Sequence, residues 1–394
     1  MSADFLSNDR VAGDEGVRRP SGIRESVKRA VIKGLYRAGV LRCVEQVARR
    51  YEFRLLSNSL LPRLRRRAMS KFAVLCYHRV GMDGVPLFSR VKPSEFDAQM
   101  RYVKKHYRVV SLEQLCRELR EVPLVEPTIA VTFDDGYRDL YTHAFPALQK
   151  YEIPATIYLI GRCMETGEAP WYDRIFVALK NAPGDTLEVE LDCPRRFELG
   201  PARARLYAAW QIVCYLRSIS ERSRRAWCAR FEQTVGVRHA ELEERMLNWE
   251  QVREMHKGGV SFGAHTMSHP AVSQLDPSEF DEELLRSKRL LEERLGVPVF
   301  DFAYPFGKPA DQSSVAEEFL AHSGYRSAVT TVEGYNLSTT NPFRLRRIQI
   351  DENDSMASFA LNLGRLFLES KDPVATDNGM DEMSTRVQQS RCEV

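Results

Sequence analysis

The chain has 394 residues, of which 43% are hydrophobic and 28% are charged, and its formal net charge is +3. This ordinary globular composition and length suit a large α/β domain with added segments and exclude a single small domain. No run of about 18 apolar residues occurs, which excludes a transmembrane helix. The first ten residues lack the apolar core of a signal peptide, so we expect a cytoplasmic protein. The eight cysteines are dispersed, as in proteins with reduced thiols.

Positive charge is concentrated at the N-terminus. Residues 1–72 hold 17 Lys and Arg against 7 Asp and Glu, so the remainder is net negative. Apolar residues recur every three or four positions from Ile23, which predicts basic amphipathic helices over 23–67 within a partly disordered region, 1–70. These helices either pack on the main domain as a collar or contact an anionic membrane surface peripherally. Nucleic acid is not an expected partner, because aromatic residues are not interleaved with the arginines.

Strand and helix patterns alternate from residue 71 to about 370, which predicts a parallel α/β sheet or barrel. The predicted strands cover 72–77, 128–133, 155–160, 260–264, 300–304, 325–331 and 343–350. The predicted helices of the repeat cover 94–105, 112–121, 137–150, 249–255, 277–295, 313–322 and 355–368. Residues 165–248 interrupt the alternation with arginine-rich helices and predict an inserted lid or subdomain. Residues 371–394 resemble a disordered tail.

Polar residues follow several of the predicted strands. They are His78, Asp134, Asp135 and His265, and the Phe306-Gly307 pair follows another predicted strand. In a parallel α/β barrel the functional groups collect where the strands end. The coincidence therefore predicts one site built from residues that are distant in sequence.

The histidine pair and the aspartate pair carry the chemistry of this predicted site. His265 and His269 are four residues apart, so one helical turn would place both rings on the same side. One carboxylate with two imidazoles is a common ligand set for a catalytic Zn²⁺ that keeps a position open for water. The remaining aspartate is then a candidate base for that water. The alternatives are capping or surface histidines, and an Asp134-Asp-Gly136 turn with a helix cap.

Three motifs together resemble a known family. Thr132-Phe-Asp-Asp-Gly136, His265-Thr-Met-Ser-His269 and Ala303-Tyr-Pro-Phe-Gly307 are similar, in order and spacing, to the first three motifs of the polysaccharide deacetylases, the NodB-homology group or carbohydrate esterase family 4. The resemblance covers about residues 72–350. It implies a distorted (β/α)₇ barrel, here with a helical insertion and a basic helical N-terminal extension, and an enzyme that deacetylates an N-acetylated saccharide in exopolysaccharide or envelope-glycan synthesis.

The resemblance also implies roles for individual residues. Asp134 would be the general base, and the Phe306 N–H would donate to the oxyanion. The ligands of a divalent metal, with Zn²⁺ expected, would be Asp135, His265 and His269.

Two positions depart from the family pattern. The family usually has a base-orienting arginine where this chain has Ala303, and Arg346 or Arg347 are the candidate replacements. No histidine follows His322, so the family's C-terminal acid is absent. His78 resembles the acid of a subgroup of biofilm poly-N-acetylglucosamine deacetylases; the alternative is that it only makes a structural hydrogen bond.

Several side chains are candidates for contacting the sugar. Trp171 and the neighbouring Tyr172 open the insertion and could stack on a sugar ring, although ordinary packing explains them equally well. The candidate substrate contacts are Tyr137, Trp171, Tyr304 and Arg347.

Other functions remain open at this point. The same site could belong to a deformylase or to an imide or cyclic-amide hydrolase, and the two departures would also suit an inactive, membrane-docked sugar-binding protein. The basic N-terminus and the expected cytoplasmic location favour a lipid-linked or nucleotide-linked precursor at the inner membrane face.

Overall fold

A computed structural model describes residues 71–82, 90–121, 127–236, 242, 245–352 and 354–368. The basic helices predicted over 23–67 and the tail predicted over 371–394 lie outside the described residues. Within the described part of the chain, no helix is both long enough and apolar enough to cross a bilayer.

The described residues contain thirteen strands and eleven α-helices. The strands are β1 (Lys71–Tyr77), β2 (Arg79–Val80), β3 (Arg90–Val91), β4 (Arg108–Val109), β5 (Thr128–Phe133), β6 (Ala155–Leu159), β7 (Thr186–Glu190), β8 (Pro194–Glu198), β9 (Val260–Ala264), β10 (Asp301–Ala303), β11 (Ser327–Glu333), β12 (Asn336–Leu337) and β13 (Leu345–Gln349). The helices are α1 (Pro93–His106), α2 (Leu112–Glu121), α3 (Phe145–Lys150), α4 (Gly161–Thr166), α5 (Trp171–Asn181), α6 (Ala202–Arg217), α7 (Glu221–Val235), α8 (Trp249–Lys257), α9 (Arg286–Leu295), α10 (Ser314–His322) and α11 (Met356–Leu368).

Seven parallel strands form a closed barrel, in the order β1, β5, β6, β9, β10, β11 and β13. β1 closes the ring by pairing with both β13 and β5, and its register with β5 runs from Phe72 opposite Thr128 to Tyr77 opposite Phe133. The predicted (β/α)₇ barrel is confirmed. The strands are near-continuous apolar runs because both faces of a barrel strand are buried.

Two helices differ from their predictions. The segment 137–150 forms a π-helical turn, Leu140–Ala144, before α3 begins, and the segment 277–295 begins with the 3₁₀ turn Pro277–Glu279 and the π-helical turn Asp281–Leu285. Apolar periodicity alone does not distinguish these tighter and wider turns from an α-helix.

The barrel interior is packed with side chains. Tyr158 on β6 is fully buried, and Gly263 lies opposite it in the register of β6 and β9. A Cβ at Gly263 would lie 2.6 Å from the Tyr158 ring and 2.7 Å from the Asp301 carbonyl oxygen, so this strand position admits only glycine. Inward-facing positions of this kind fill the lumen.

The segment between α4 and α8 adds a hydrophobic cluster of its own. Helices α5, α6 and α7 pack together beside the β7–β8 hairpin, around residues such as Ile175, Ile212 and Phe231. The same cluster includes Tyr137 and Ile160 of the barrel loops, so these helices lie over the carboxyl ends of the barrel strands.

Candidate active site

Asp135, His265 and His269 lie together at the carboxyl ends of β5 and β9. The Nε2 atoms of both histidines are 3.5 Å from the Asp135 Oδ1. All three residues are buried, with Asp135 only 1% exposed. The structure therefore brings the predicted carboxylate and two imidazoles to one point.

The histidines do not lie on a helical turn, so that part of the prediction is wrong. His265 follows β9 directly, and the loop after it places Thr266 and His269 in the left-handed region, at φ 62° and 60°. The Thr266 hydroxyl accepts a hydrogen bond from the His269 N–H at 2.9 Å. This loop, rather than helical periodicity, turns both rings toward Asp135.

Glu283 holds the same loop from behind. Its Oε2 accepts hydrogen bonds from the Met267 and Ser268 N–H groups, each at 3.0 Å, and its Oε1 accepts one from the Ser268 hydroxyl at 2.7 Å. Glu283 is not predictable from the sequence, because one glutamate in a charged helical segment carries no distinguishing signal.

The donor set fits a divalent cation. Neither carboxylate oxygen of Asp135 accepts a hydrogen bond from a described residue, although both are buried. The Nδ1 of His265 lies 2.8 Å from the Ala303 carbonyl oxygen, which fixes the ring and turns its Nε2 toward Asp135. Burial and the nearby His265 lower the pKa of His269 to about 3, so its imidazole is neutral, as a metal ligand must be.

Asp134 has a different partner. Its two carboxylate oxygens accept hydrogen bonds from the Arg347 guanidinium at 2.7 and 2.6 Å, and Arg347 also donates to the Thr330 carbonyl oxygen at 2.7 Å. Arg347 is completely buried in the barrel interior, so its predicted role as a substrate contact is wrong. Burial alone would raise the pKa of Asp134, but the Arg347 guanidinium holds that pKa well below its usual range.

His78 lies on the other side of Asp134. Its Nε2 is 3.9 Å from the Asp134 Oδ2, and its side chain is 16% exposed. The Cys76 thiol lies 3.7 Å from the same oxygen. His78 is thus the imidazole beside Asp134 that solvent reaches, while its role as the acid stays a prediction.

The Phe306-Gly307 turn completes the rim of the site. Phe306 and Gly307 have φ values of 60° and 67°, and the Thr331 hydroxyl donates to the Phe306 carbonyl oxygen. The centre of the Phe306 ring lies 4.9 Å from the centre of the His269 ring, and the Arg217 guanidinium lies 4.7 Å from the centre of the Phe306 ring. The Phe306 N–H donates no hydrogen bond to a described residue.

Two of the predicted sugar contacts are wrong because their side chains are buried. Tyr304 is 1% exposed and packs edge-on against Phe302 in the core. Tyr137 is 0% exposed and lies under the Arg79 guanidinium, 4.7 Å away. Trp171, in contrast, is half-buried, and its indole N–H donates to the His269 carbonyl oxygen at 3.4 Å.

Arg224 was not predicted. Its guanidinium lies 4.9 Å from the centre of the Trp171 ring and donates to the Ser268 carbonyl oxygen at 3.3 Å. It lies on α7, which contains four arginines, and a fifth, Arg217, ends the preceding helix, so the sequence alone did not single it out.

A model of a known family matches residues 121–326, slightly more than half of the chain, and its description is polysaccharide deacetylase. The match includes Asp134, Asp135, His265, His269 and Phe306. His78 and Arg347 lie outside it.

Individual proteins agree with this family match. The YxkH protein of Bacillus subtilis (strain 168), named as a polysaccharide deacetylase, is 23% identical over 292 residues, which are 74% of this chain and 75% of that protein. The poly-beta-1,6-N-acetyl-D-glucosamine N-deacetylase of Escherichia coli (strain K12) is 32% identical over 98 residues, but these are only 24% of this chain and 15% of that protein.

A solved structure supports the fold. The Streptococcus pyogenes deacetylase PplD, determined in complex with acetate, superposes with a TM-score of 0.51 at 23% identity. The superposition covers 74% of this chain and 98% of the other. At this level of identity the likeness shows a shared fold.

Proposed function

Because the chain belongs to the polysaccharide deacetylase family, we propose that it hydrolyses the N-acetyl group of an amino sugar during exopolysaccharide or envelope-glycan synthesis. The observation that carries this proposal is the buried group of Asp135, His265 and His269 directly beside Asp134. An amide is hydrolysed when a water oxygen is delivered to the carbonyl carbon and the nitrogen leaves as an amine. The site offers a group for each of these tasks.

Asp135, His265 and His269 would hold the divalent metal, for which we propose Zn²⁺ because two imidazoles and one carboxylate are a common ligand set of catalytic zinc. When bound, such an ion polarises a carbonyl group and lowers the pKa of a water molecule. The remaining steps belong to side chains and backbone groups of the chain.

Asp134 would accept a proton from the attacking water, because Arg347 keeps its carboxylate ionised and fixes its direction. The Phe306 N–H, free of other partners among the described residues, would donate to the carbonyl oxygen as it gains negative charge. His78 would then protonate the departing nitrogen as the C–N bond breaks, which releases acetate and a free amine.

Arg347 also bears on the question of lost activity. The arginine that the family carries at the position of Ala303 is absent, but Arg347 reaches Asp134 from β13 and makes both hydrogen bonds to its carboxylate. An ionised, oriented base favours an active enzyme over an inactive sugar-binding protein.

The relative named as a poly-beta-1,6-N-acetyl-D-glucosamine N-deacetylase supports an N-acetylglucosamine-type substrate.

We also propose a cytoplasmic location with peripheral contact between the basic segment 23–67 and an anionic membrane, which would give access to a lipid-linked precursor. The net positive charge of residues 1–72 supports this contact. Co-sedimentation of the full chain with phosphatidylglycerol vesicles should be lost when Arg65, Arg66 and Arg67 are changed to Glu; unchanged sedimentation would contradict it.

Acetate release from a panel of neutral and charged N-acetyl sugars tests the proposed activity. We expect release by the zinc-loaded wild type and losses of about 10²–10⁴-fold in Asp134→Asn and His78→Ala, each with its metal content retained. Metal content also shows that each variant is folded at the site. Bound metal with release of formate or opening of a cyclic imide, but no acetate, would assign another hydrolase activity. Bound metal without any product would indicate a binding protein.

A further inference from the structure

A cleft of about 1140 Å³ extends from the metal-ligand loop along the insertion. One wall is α4 with the loop that follows it, and the opposite wall is one face of α7. Ser268 and His269 lie at its inner end, beside Trp171. The cleft is therefore continuous with the candidate active site and has room for parts of a substrate beyond the acetylated sugar.

Five arginines line this cleft, and they fall into two groups. Arg174 is paired with Glu168 and Glu232, and Arg224 is paired with Glu221. These two arginines thus form ion pairs with three of the four glutamates that line the cleft. The fourth, Glu279, accepts a hydrogen bond from the Asp276 N–H at its own turn.

Three arginines remain without an acidic partner among the described residues: Arg162 on α4, and Arg222 and Arg225 on α7. Arg222 and Arg225 are exposed and three residues apart, so they project from the same helix face in its first turns. The N-terminus of α7 adds partial positive charge at this point. The open part of the cleft thus carries a net positive charge.

Two buried nitrogens show that hydrogen-bond donors are also unused here. Arg224 is 1% exposed, and its Nη1 has no hydrogen-bond partner among the described residues. The Nε of Arg162 is buried and equally unpartnered. A buried donor without an acceptor is costly, and an anionic oxygen placed between the two walls would remove that cost.

We propose that this cleft binds an anionic group of the substrate, a phosphate or a carboxylate, through Arg162, Arg222 and Arg225 with Arg224 at the inner end. The inference rests on the proposed deacetylase function, since it makes the substrate an N-acetylamino sugar joined to a charged neighbour. Both a sugar diphosphate and a uronic acid residue present the required oxygens.

Binding of small anions tests the cleft without reference to activity. Titration calorimetry on the zinc-loaded full chain would use pyrophosphate and glucuronate as separate probes, with neutral glucose as the blank. We expect the affinity for at least one anion to fall tenfold or more in Arg222→Gln/Arg225→Gln. The matched control is Arg230→Gln, because Arg230 is exposed on the same helix but does not line the cleft. The stronger probe identifies phosphate or carboxylate as the ligand.

Turnover provides the second test. We expect wild-type kcat/KM to be at least tenfold higher for a nucleoside-diphosphate or uronate-linked N-acetylamino sugar than for a neutral N-acetyl oligosaccharide. In Arg222→Gln/Arg225→Gln this ratio should fall toward one, mainly through KM, while Arg230→Gln keeps it.

The outcomes separate the two proposals. Absence of anion binding, or equal binding in the double variant and the Arg230→Gln control, overturns the anion site even if acetate is released. Anion binding that depends on Arg222 and Arg225 without acetate release from any substrate overturns the deacetylase function and leaves the anion site standing.

Discussion

Asp134 and Asp135 are adjacent, chemically identical and almost completely buried, yet their surroundings are opposite. Asp134 accepts two hydrogen bonds from a buried arginine. Asp135 accepts none from the described residues and faces two imidazoles at 3.5 Å. Burial alone therefore does not assign a role to a carboxylate. A carboxylate whose bonds are complete is positioned by the protein, whereas one whose bonds are missing is prepared for a ligand.

Substitutions of the two aspartates should differ most strongly in their effect on the stability of the metal-free protein. Asp134→Asn leaves Arg347 buried without its anion, so we expect the free energy of unfolding to fall by about 3–5 kcal/mol. Asp135→Asn removes a carboxylate that accepts no hydrogen bond from the described residues, and Asn tolerates the φ of 72° found there, so the loss should be smaller, at about 1 kcal/mol. Urea denaturation after chelation measures both. Equal destabilisation would contradict the assignment.

Stabilisation by added metal should distinguish the two aspartates in the opposite sense, because it should depend on Asp135 and not on Asp134. A ligand that binds only the folded state at about 100 times its Kd stabilises it by about 2.7 kcal/mol. We expect Zn²⁺ to give a stabilisation of this size in wild type and in Asp134→Asn, and none in Asp135→Asn. Denaturation with and without zinc provides the measurement, and a zinc response that survives in Asp135→Asn would show that the ion binds elsewhere.

The effect of Arg347 on the pKa of Asp134 can be tested by measuring activity and stability as a function of pH. Arg347→Lys replaces two hydrogen bonds by at most one, so the pKa of Asp134 should rise toward the usual range. Because Asp134 must be ionised to act as a base, the acidic limb of kcat/KM should move to higher pH. A depressed pKa stabilises the fold fully above the unfolded value of about 3.9, and this stabilisation is lost as the pH falls toward the folded pKa, so the variant should also lose about 1–2 kcal/mol near neutral pH. Arg346→Lys, on the neighbouring residue, is the control.

The smallest effect concerns the Phe306-Gly307 turn beside His269. Arg217 packs over the Phe306 ring and forms an ion pair with Asp311, so it fixes the turn that presents the Phe306 N–H. Arg217→Gln should lower kcat about fivefold with little change in KM, because the oxyanion exists only during the reaction. Arg203→Gln, an exposed change on the same helix, should leave both constants unchanged. A loss confined to KM would indicate a substrate contact instead.

Much of this arrangement was predictable, because the candidate site residues lie directly after predicted parallel strands. Apolar runs placed Asp134 and His265 after parallel strands, and closure of the barrel brings such ends together. The position of Arg347 was not predictable, since residues 343–350 fit a strand equally well with Arg346 or with Arg347 facing the barrel interior. Its side chain points into the lumen, where a charged residue is stable only beside an anion.

Other errors came from burial and loop conformation, which single residues do not reveal. Tyr304 follows a strand just as His265 does, but its ring turns into the core. The spacing of His265 and His269 suggested a helical turn, whereas two left-handed residues bend the loop. Arg224 and Glu283 form hydrogen bonds with backbone carbonyl and amide groups of that loop. The order of side chains in a sequence does not indicate such contacts.

The left-handed residues have a thermodynamic consequence. Five non-glycine residues in the described part of the chain have a positive φ, and Asp135, Thr266, His269 and Phe306 are four of them. Each such residue costs on the order of 1 kcal/mol relative to a relaxed backbone. The strain in this protein is therefore concentrated where the chemistry is. Selection for thermal stability alone would favour glycine at these positions, and a more stable but slower enzyme would result.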